Sequence, residues 1–327
     1  MKKKYHVAIV GATGMVGRQF VSILEEFNFP VETLYAFASK RSANTYIPFK
    51  EQNILVEELT TESFDRPIDI AFFSAGSEIS KTFGPQAASK GILVIDNSSQ
   101  WRLDPQVPLI VPEVNFSDVY SHKYLIANPN CSTIQSVIPL QALKSYGITE
   151  VMYTTYQAVS GSGYRGVNDL QREEATPYQF YPKEIKGNVI PQIDVLLDNQ
   201  FTKEEMKMRE ETRKILHLPT LPVSATCVRV PVLNGHSVSI AVTLSEEITR
   251  AHMLHALTQQ PGLRLMEDQI PTPMESSGQD DVLVGRIRQD LDNKYRWHLW
   301  VVADNIRKGA ASNAVSIAQQ YIKEEII

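Results

Sequence analysis

Short, unbroken apolar runs alternate with amphipathic stretches from the start of the chain to about residue 130. Tyr5 to Val10 predicts a strand, Met15 to Phe27 a helix and Thr33 to Ala38 a second strand. Asp69 to Phe73 and Ile92 to Asp96 predict two more strands, with a helix over Lys81 to Lys90 between them. Strands that are apolar throughout suit a sheet covered on both faces, and their alternation with helices predicts a parallel sheet with crossover helices. Beyond residue 150 the pattern changes. Val151 to Gln157 and Ser237 to Leu244 alternate or carry β-branched residues, and a polar, loop-rich stretch with Pro177, Pro182 and Pro191 lies between them. A strand, Trp297 to Val302, precedes a helix over Gly309 to Glu324, where Ala311, Ala314, Val315, Ala318, Tyr321 and Ile322 follow a helical period. No internal repeat or low-complexity segment is present.

The length of 327 residues corresponds to about two domains of roughly 150 residues each. With 43% hydrophobic and 21% charged residues, the chain can bury a sizeable core without disulfide or metal staples. A formal net charge of -5 argues against a nucleic-acid binder, which would carry a basic stripe. Cys131 and Cys227 alone make neither a disulfide framework nor a zinc cluster, so no metal is expected and a reducing compartment fits. The start, Met1-Lys2-Lys3-Lys4 before an apolar run, superficially resembles a signal peptide, but Val7-Ala8-Ile9-Val10 is only strand-length and glycines follow at once. No stretch approaches the ~20 apolar residues that span a bilayer. A cytoplasmic protein without membrane or nucleic-acid partners is expected.

Gly11-Ala12-Thr13-Gly14-Met15-Val16-Gly17 follows the first strand and opens the first helix. Glycines there permit a tight turn and close backbone approach, and the helix N-terminus attracts pyrophosphate. The spacing is GxxGxxG, and no Lys-Ser/Thr pair follows, so it is not a P-loop. The loop reads as a dinucleotide cradle, against the plainer reading of a strand-turn-helix with packing glycines. An NAD site places an acid at the end of the second strand, whereas this chain has Ala38-Ser39-Lys40-Arg41-Ser42. Ser39, Arg41 and Ser42 therefore point to the 2′-phosphate of NADP, unless the basic pair is only a solvated loop.

Ala127-Asn128-Pro129-Asn130-Cys131-Ser132-Thr133 leads from a short strand, Tyr124 to Ile126, into a helical run. Asn130 is a good N-cap, which places Cys131 in the first helical turn, where the helix field favours a nucleophilic thiolate. A lone cysteine is also commonly a small buried hydrophobe, and Cys227 in Cys227-Val228-Arg229-Val230 fits that description. Asn234-Gly235 between two β-rich runs predicts a two-residue hairpin, with Leu233 opposite His236 and Arg229 opposite Ile240. Arg229 and His236 would then share the inward face. They would serve either a substrate or a structural ion pair with a satisfied core histidine. Near Phe201, Thr202 and Glu205 form a capping box, which leaves Glu204 and Lys207 three apart on one face. Taken alone, that pair reads as a solvated surface ion pair.

Asn130-Cys131-Ser132-Thr133 together with the glycine loop resembles the aspartate-semialdehyde dehydrogenase family. Further pieces extend the resemblance along the whole chain: Phe73-Ser74-Ala75-Gly76, Asp96-Asn97-Ser98-Ser99 with Trp101-Arg102, Tyr156-Gln157-Ala158-Val159-Ser160-Gly161, Glu204 to Met208, Arg229 to Val232 with Gly235-His236-Ser237, and Asp304 to Ala311. The resemblance implies an α/β fold. A Rossmann-like doubly wound parallel sheet (residues 1–127, completed by 305–327) would bind NADP. An α+β catalytic and dimerisation domain (128–304) would follow, with the C-terminal helix returning to the first domain. It also implies NADPH-dependent reductive dephosphorylation of L-aspartyl 4-phosphate to L-aspartate 4-semialdehyde, through a thioester on Cys131, in lysine, methionine and threonine biosynthesis. His236 would move protons and Gln157 would orient the intermediate. Arg229 would hold the substrate carboxylate, Glu204 its ammonium, and Arg102, Lys207 and Asn130 the phosphate. Ser74, Gly76, Ser160, Gly161 and Asn305 would join the glycine loop around the cofactor, in a homodimer. The alternatives are N-acetyl-γ-glutamyl-phosphate reductase, whose acylated substrate has no use for Glu204, and a non-catalytic NADP-binding sensor, which needs no nucleophile.

Overall fold

The computed structural model describes residues 3–172 and 180–324; Met1, Lys2 and Pro177 lie outside the described residues. The chain forms two compact units, Met1–Pro129 with Ala310–Ile327, and Asn130–Gly309. The steps between units fall a little beyond the 127/128 and 304/305 positions expected from sequence.

In the first unit the order is β1 (Tyr5–Val10), α1 (Met15–Glu26), β2 (Val31–Ala38), β3 (Tyr46–Phe49), β4 (Gln52–Glu58), β5 (Ile70–Phe73), α2 (Ser77–Ser89), β6 (Leu93–Asp96), α3 (Pro112–Asn115) and β7 (Leu125–Ala127). The sheet order is β3-β4-β2-β1-β5-β6-β7, parallel except for the antiparallel edge pair β3–β4. The β3–β4 pair was not expected from the pattern, and α2 begins four residues before the expected Lys81. The apolar runs explain the parallel part: every residue of β5 and β6 is buried. On α1, Gly17, Phe20, Val21, Ile23 and Leu24 face inward, with Phe20 stacked on Phe72 at 5.0 Å between ring centroids. The chain runs outward from β1 to β2 and returns to its other side at β5. The loop after β1 therefore lies at a topological switch point, where doubly wound sheets bind ligands.

The second unit contains α4 (Cys131–Leu143), β8 (Ile148–Gln157), α5 (Gly163–Gln171), α6 (Lys203–Ile215), β9 (Val223–Arg229), β10 (His236–Leu244), α7 (Arg250–Gln259), β11 (Leu263–Met266), α8 (Pro273–Ser276), β12 (Val282–Gln289) and β13 (Arg296–Ala303). Its sheet runs β11-β12-β13-β10-β8-β9. The expected hairpin does not form. β9 pairs in parallel with β8, and β10 pairs with β8 from the other side, so β8 separates the two runs. The cause lies in the connection, which crosses the end of β8 and bonds there instead. Val230 N–H donates to Gln157 O, Val159 N–H to Val232 O and Ser160 N–H to Leu233 O. Asn234 is drawn away by Asp304, to whose Oδ2 it donates at 2.8 Å.

The chain then makes a wide helical turn, Arg307–Ala311, before α9 (Ser312–Lys323), so the terminal helix starts later than the expected Gly309. The α9 residues Ala314, Val315, Ile317, Ala318 and Tyr321 join the hydrophobic core of the first unit, as expected for a returning helix.

Candidate active site

The glycine loop is shaped by its lack of side chains. Gly11 has φ +89°, and a Cβ there would lie 2.5 Å from Ser74 O; one on Gly17 would lie 2.1 Å from Gly11 O. Gly14 caps α1 with no side-chain hydrogen bond and no acid in the first turn, which leaves the N-terminal amides available to an anion. Thr13, Met15 and Val16 are partly exposed around it. Ser39 and Arg41 are exposed and Ser42 half-buried beyond the carboxyl end of β2, whose Phe37 carbonyl accepts from Gly11 and Ala12. Ser74 N–H bonds Val10 O, and Gly76, at φ +89°, caps α2. These residues fit a dinucleotide: a backbone-lined cradle, a helix end with no side-chain cap, and an exposed cation in the loop after β2. Arg102 also lies in this unit, buried, donating to Asn97 O at 2.9 Å.

The second unit assembles the other candidates. Asn130 caps α4 as expected: its Oδ1 accepts from Ser132 N at 2.9 Å and Thr133 N at 3.2 Å. Such a cap contributes about 1 kcal/mol, and here it also fixes Cys131 as the first helical residue. Asn130 is itself clamped by two carboxylates of α6. Its Nδ2 donates to Glu204 Oε1 at 2.8 Å and its backbone N–H to Glu211 Oε2 at 2.7 Å. Cys131 keeps partial exposure, whereas Cys227 is buried; burial, reinforced by Glu204 and Glu205, pushes the Cys227 thiol upward and leaves it inert. A Cβ on Gly309 would come within 2.8 Å of Cys131 Cβ, so that glycine is the floor beneath the thiol.

Glu204 is no surface residue. It is buried, and its carboxylate accepts from Asn130, from Gln157 Nε2 at 3.3 Å and from Lys207 Nζ at 3.0 Å. Burial raises its pKa, but Lys207, the Asn130 amide and Arg229 outweigh that, and the net direction is downward. Lys207 also reaches Asp194 Oδ2 at 2.9 Å; burial opposes its charge, yet the two carboxylates raise its pKa overall.

Arg229 and His236 do share the inward face, reached through β8 and not through a hairpin. Arg229 is in register with Gln157, and His236 is one step beyond the Ser237–Tyr156 pair, so the three form one row across β9, β8 and β10. All three are buried. Gly161 packs against them: a Cβ on it would lie 3.0 Å from Arg229 Nη1 and 3.1 Å from His236 Nε2. Desolvation, with Arg229 adding to it, holds the His236 pKa well below the usual histidine range. Ser160 and Asn305 are buried and bond each other, with Ser160 Oγ also donating to Asn234 Oδ1 and Asn305 Oδ1 accepting from Gly235 N.

Sequence reading missed Glu211 and Gln135. Glu211 lies seven residues after Glu204, with Met208 between them on the same buried stripe, and that spacing was the available signal. Gln135 Nε2 donates to His236 O at 3.0 Å and Val301 O at 3.2 Å, stapling the cysteine helix to β10 and β13. No group of side chains among the described residues could hold a metal ion.

A doubly wound nucleotide-binding unit, joined to a unit that presents a capped cysteine and a buried row of Gln, Arg and His, defines a nucleotide-dependent oxidoreductase. Residues 6–122 match the family description "Semialdehyde dehydrogenase, NAD binding domain", and residues 138–308 match "Semialdehyde dehydrogenase, dimerisation domain". The chain is 47% identical to the aspartate-semialdehyde dehydrogenase of Aquifex aeolicus, over 99% of each chain, and 45% identical to that of Bacillus subtilis, over the whole of both. It superposes on the crystal structure of aspartate semialdehyde dehydrogenase II from Vibrio cholerae complexed with ASA, with TM-score 0.95 and 41% identity, covering 98% of this chain and 99% of that one. The chain belongs to the aspartate-semialdehyde dehydrogenase family.

Proposed function

We propose that the chain reduces L-aspartyl 4-phosphate to L-aspartate 4-semialdehyde and phosphate, with NADPH as cofactor and a thioester on Cys131 as intermediate. The observation that carries this reading is the convergence in one unit of a helix-capped, partly exposed thiol with a buried Gln157, Arg229 and His236. Cys131 attacks the acyl carbonyl and phosphate leaves; a thioester, unlike a carboxylate, is readily reduced. Bound at the glycine loop, NADPH would supply the hydride. Gly11, Thr13, Gly14, Met15, Val16 and Gly17 would hold its pyrophosphate. Ser39, Arg41 and Ser42 would hold the 2′-phosphate, since no acid stands at the end of β2 to prefer NAD. Ser74, Gly76, Ser160, Gly161 and Asn305 would complete that site.

Arg229 holds the substrate carboxylate through its fork, a geometry lysine lacks. Glu204 receives the ammonium: a carboxylate accepts about four hydrogen bonds, and Asn130, Gln157 and Lys207 occupy three. Arg102, Lys207 and Asn130 bind the phosphate, and Gln157 orients the acyl group. His236 does the acid-base work, passing the proton as the intermediate collapses to the aldehyde.

The chain acts as a homodimer through the face of its second sheet on which Thr154, Ser239, Ala241 and Thr243 are part-exposed beside the paired rings of Tyr156 and Trp300. The described residues include no helix long and apolar enough to cross a membrane. Both cysteines are free, which suits the cytoplasm.

The test is phosphate-dependent reduction of NADP by L-aspartate semialdehyde, run beside N-acetyl-glutamate semialdehyde. Turnover of the first alone is expected. Turnover of the second alone would move the chain to the sister reductase, and tight NADP binding without either would make it a sensor.

A further inference from the structure

A helix N-terminus leaves N–H groups without helical partners, and a capping box satisfies two donors with two side chains. Asn130 supplies half of that motif to α4, its Oδ1 accepting from Ser132 N–H and Thr133 N–H. The other half is ordinarily an acid or amide at the third helical position, reaching back to the N–H of the cap residue itself. Here that position holds Thr133, whose hydroxyl donates instead to Met208 Sδ at 3.6 Å. The Asn130 N–H is answered by Glu211 Oε2 at 2.7 Å, from another helix and 81 residues along the chain. The box around the nucleophile is therefore split between α4 and α6. Its donor side on α6 is a stripe at i, i+4 and i+7: Glu204 holds the Asn130 amide, Met208 the Thr133 hydroxyl and Glu211 the Asn130 backbone. That helix is fastened to the sheet near both ends. Glu205 Oε1 accepts from Cys227 N–H at 3.0 Å, and the hydroxyls of Thr212 and Tyr153 bond at 3.1 Å.

We propose that Glu211 is a positioning residue for the reaction: its carboxylate holds the Asn130 peptide and thereby sets the Cys131 thiol in line with the acyl carbon. The proposal rests on the thioester reading above. Asn130 directly precedes Cys131, so the tilt of its peptide determines where the Cys131 Cα stands. Glu211 and Asn130 are both buried, and a buried carboxylate or N–H that loses its partner is costly, so the pair resists opening. A hydrogen bond to an ionised acceptor is about twice as strong as a neutral one, which suits a contact that must not drift during turnover. Glu204 is already shared with Gln157 and Lys207, so the grip on the backbone falls to Glu211. Glu211 acts through Asn130 and takes no part in the chemistry. What it secures is distance, and a misplacement of about 1 Å at a reacting centre can cost about 10²-fold.

The test compares Glu211→Met, which keeps the bulk but loses the acceptor, with Glu211→Gln, which keeps an acceptor oxygen of the same reach. The readout is the burst of NADPH formed when full-length protein meets L-aspartate semialdehyde and NADP without phosphate, together with kcat and KM. Glu211→Met should slow the burst and kcat by about 10- to 100-fold while both KM values stay within about threefold, and Glu211→Gln should recover at least about fivefold. A merely structural role would lower thermal stability and leave the burst of the folded protein unchanged, which would overturn the proposal. So would equal losses in the two variants, or a loss confined to KM. The wild type gives an arm that needs no folded variant. Pro129-Asn130 is the only Pro-Asn pair in the sequence, so 13C-carbonyl proline with 15N-asparagine singles out the Asn130 amide. That amide should exchange with deuterated water over hours; exchange as fast as in an exposed loop would overturn the proposal. Intact mass of the acyl adduct on wild-type Cys131, taken from the same mixtures, reports separately on the thioester reading.

Discussion

Gly309→Ala adds one methyl group directly beneath the nucleophile. In the structure that methyl would lie 2.8 Å from Cys131 Cβ and 3.2 Å from Cys131 Cα. Carbon atoms prefer about 3.5–4.0 Å, so the first contact is short by roughly 0.7 Å or more. Neither side yields easily. Gly309 N–H is bonded to Asp304 O at 2.9 Å, and Cys131 occupies the first turn of a helix whose cap is clamped by Glu204 and Glu211. Overpacking of this kind typically costs about 1–3 kcal/mol of stability. Relief by displacing the thiol some 0.5–1 Å should lower kcat by about 10- to 100-fold, since a 1 Å misplacement at a reacting centre can cost about 10²-fold. NADPH affinity, carried mainly by the glycine loop, should stay within about twofold. Steady-state kinetics, NADPH fluorescence titration and the rate of iodoacetamide alkylation of Cys131 measure the three quantities. A folded Gly309→Ala protein with wild-type kcat would refute the reasoning, because it would mean that the thiol's position does not depend on this contact.

Cys131→Ala should abolish turnover while leaving NADPH binding intact, whereas Cys227→Ala should stay active; residual turnover in the first exceeding a trace would remove the nucleophile. Arg229→Lys should keep the charge but lose the fork, lowering kcat/KM by about 10²-fold, equivalent to about 2.7 kcal/mol; an unchanged kcat/KM would take Arg229 out of the substrate site. NADPH should be preferred to NADH, and Arg41→Ala should shrink that preference by about tenfold, the worth of one exposed charge-assisted contact of about 1.4 kcal/mol. Equal use of the two cofactors by the wild type would show that Arg41 and Ser39 do not read the 2′-phosphate.

Local signals in the sequence were reliable where one interaction determines them. Asn130 as N-cap and Thr202 with Glu205 as capping box are both present as expected, because each depends on groups two or three residues apart. The parallel strands were legible for a similar reason: burial on both faces forces an unbroken apolar run. Pairing across the sheet was less legible. Asn234-Gly235 has the local preference for a hairpin, yet β8 supplies better partners to both flanking strands, and a preference within one turn cannot report a competitor so distant in the chain. The shared face of Arg229 and His236 survived that error because alternation along each strand, not the turn, determines it. Spacing alone leaves Glu204 in a surface ion pair, since it gives the face of a helix but not what covers it, and only the family resemblance assigned the residue to the site. The buried stripe of Glu204, Met208 and Glu211 becomes visible only once Asn130 and Gln157 are placed against it.

The account depends most on a covalent acyl group at Cys131. The direct measurement is intact and peptide mass spectrometry after the enzyme is mixed with L-aspartate semialdehyde and NADP in the absence of phosphate. The account predicts one aspartyl adduct, on the peptide carrying Cys131, discharged by added phosphate and absent from Cys131→Ala. Turnover on adding phosphate without any such adduct, or an adduct elsewhere in the chain, would contradict it.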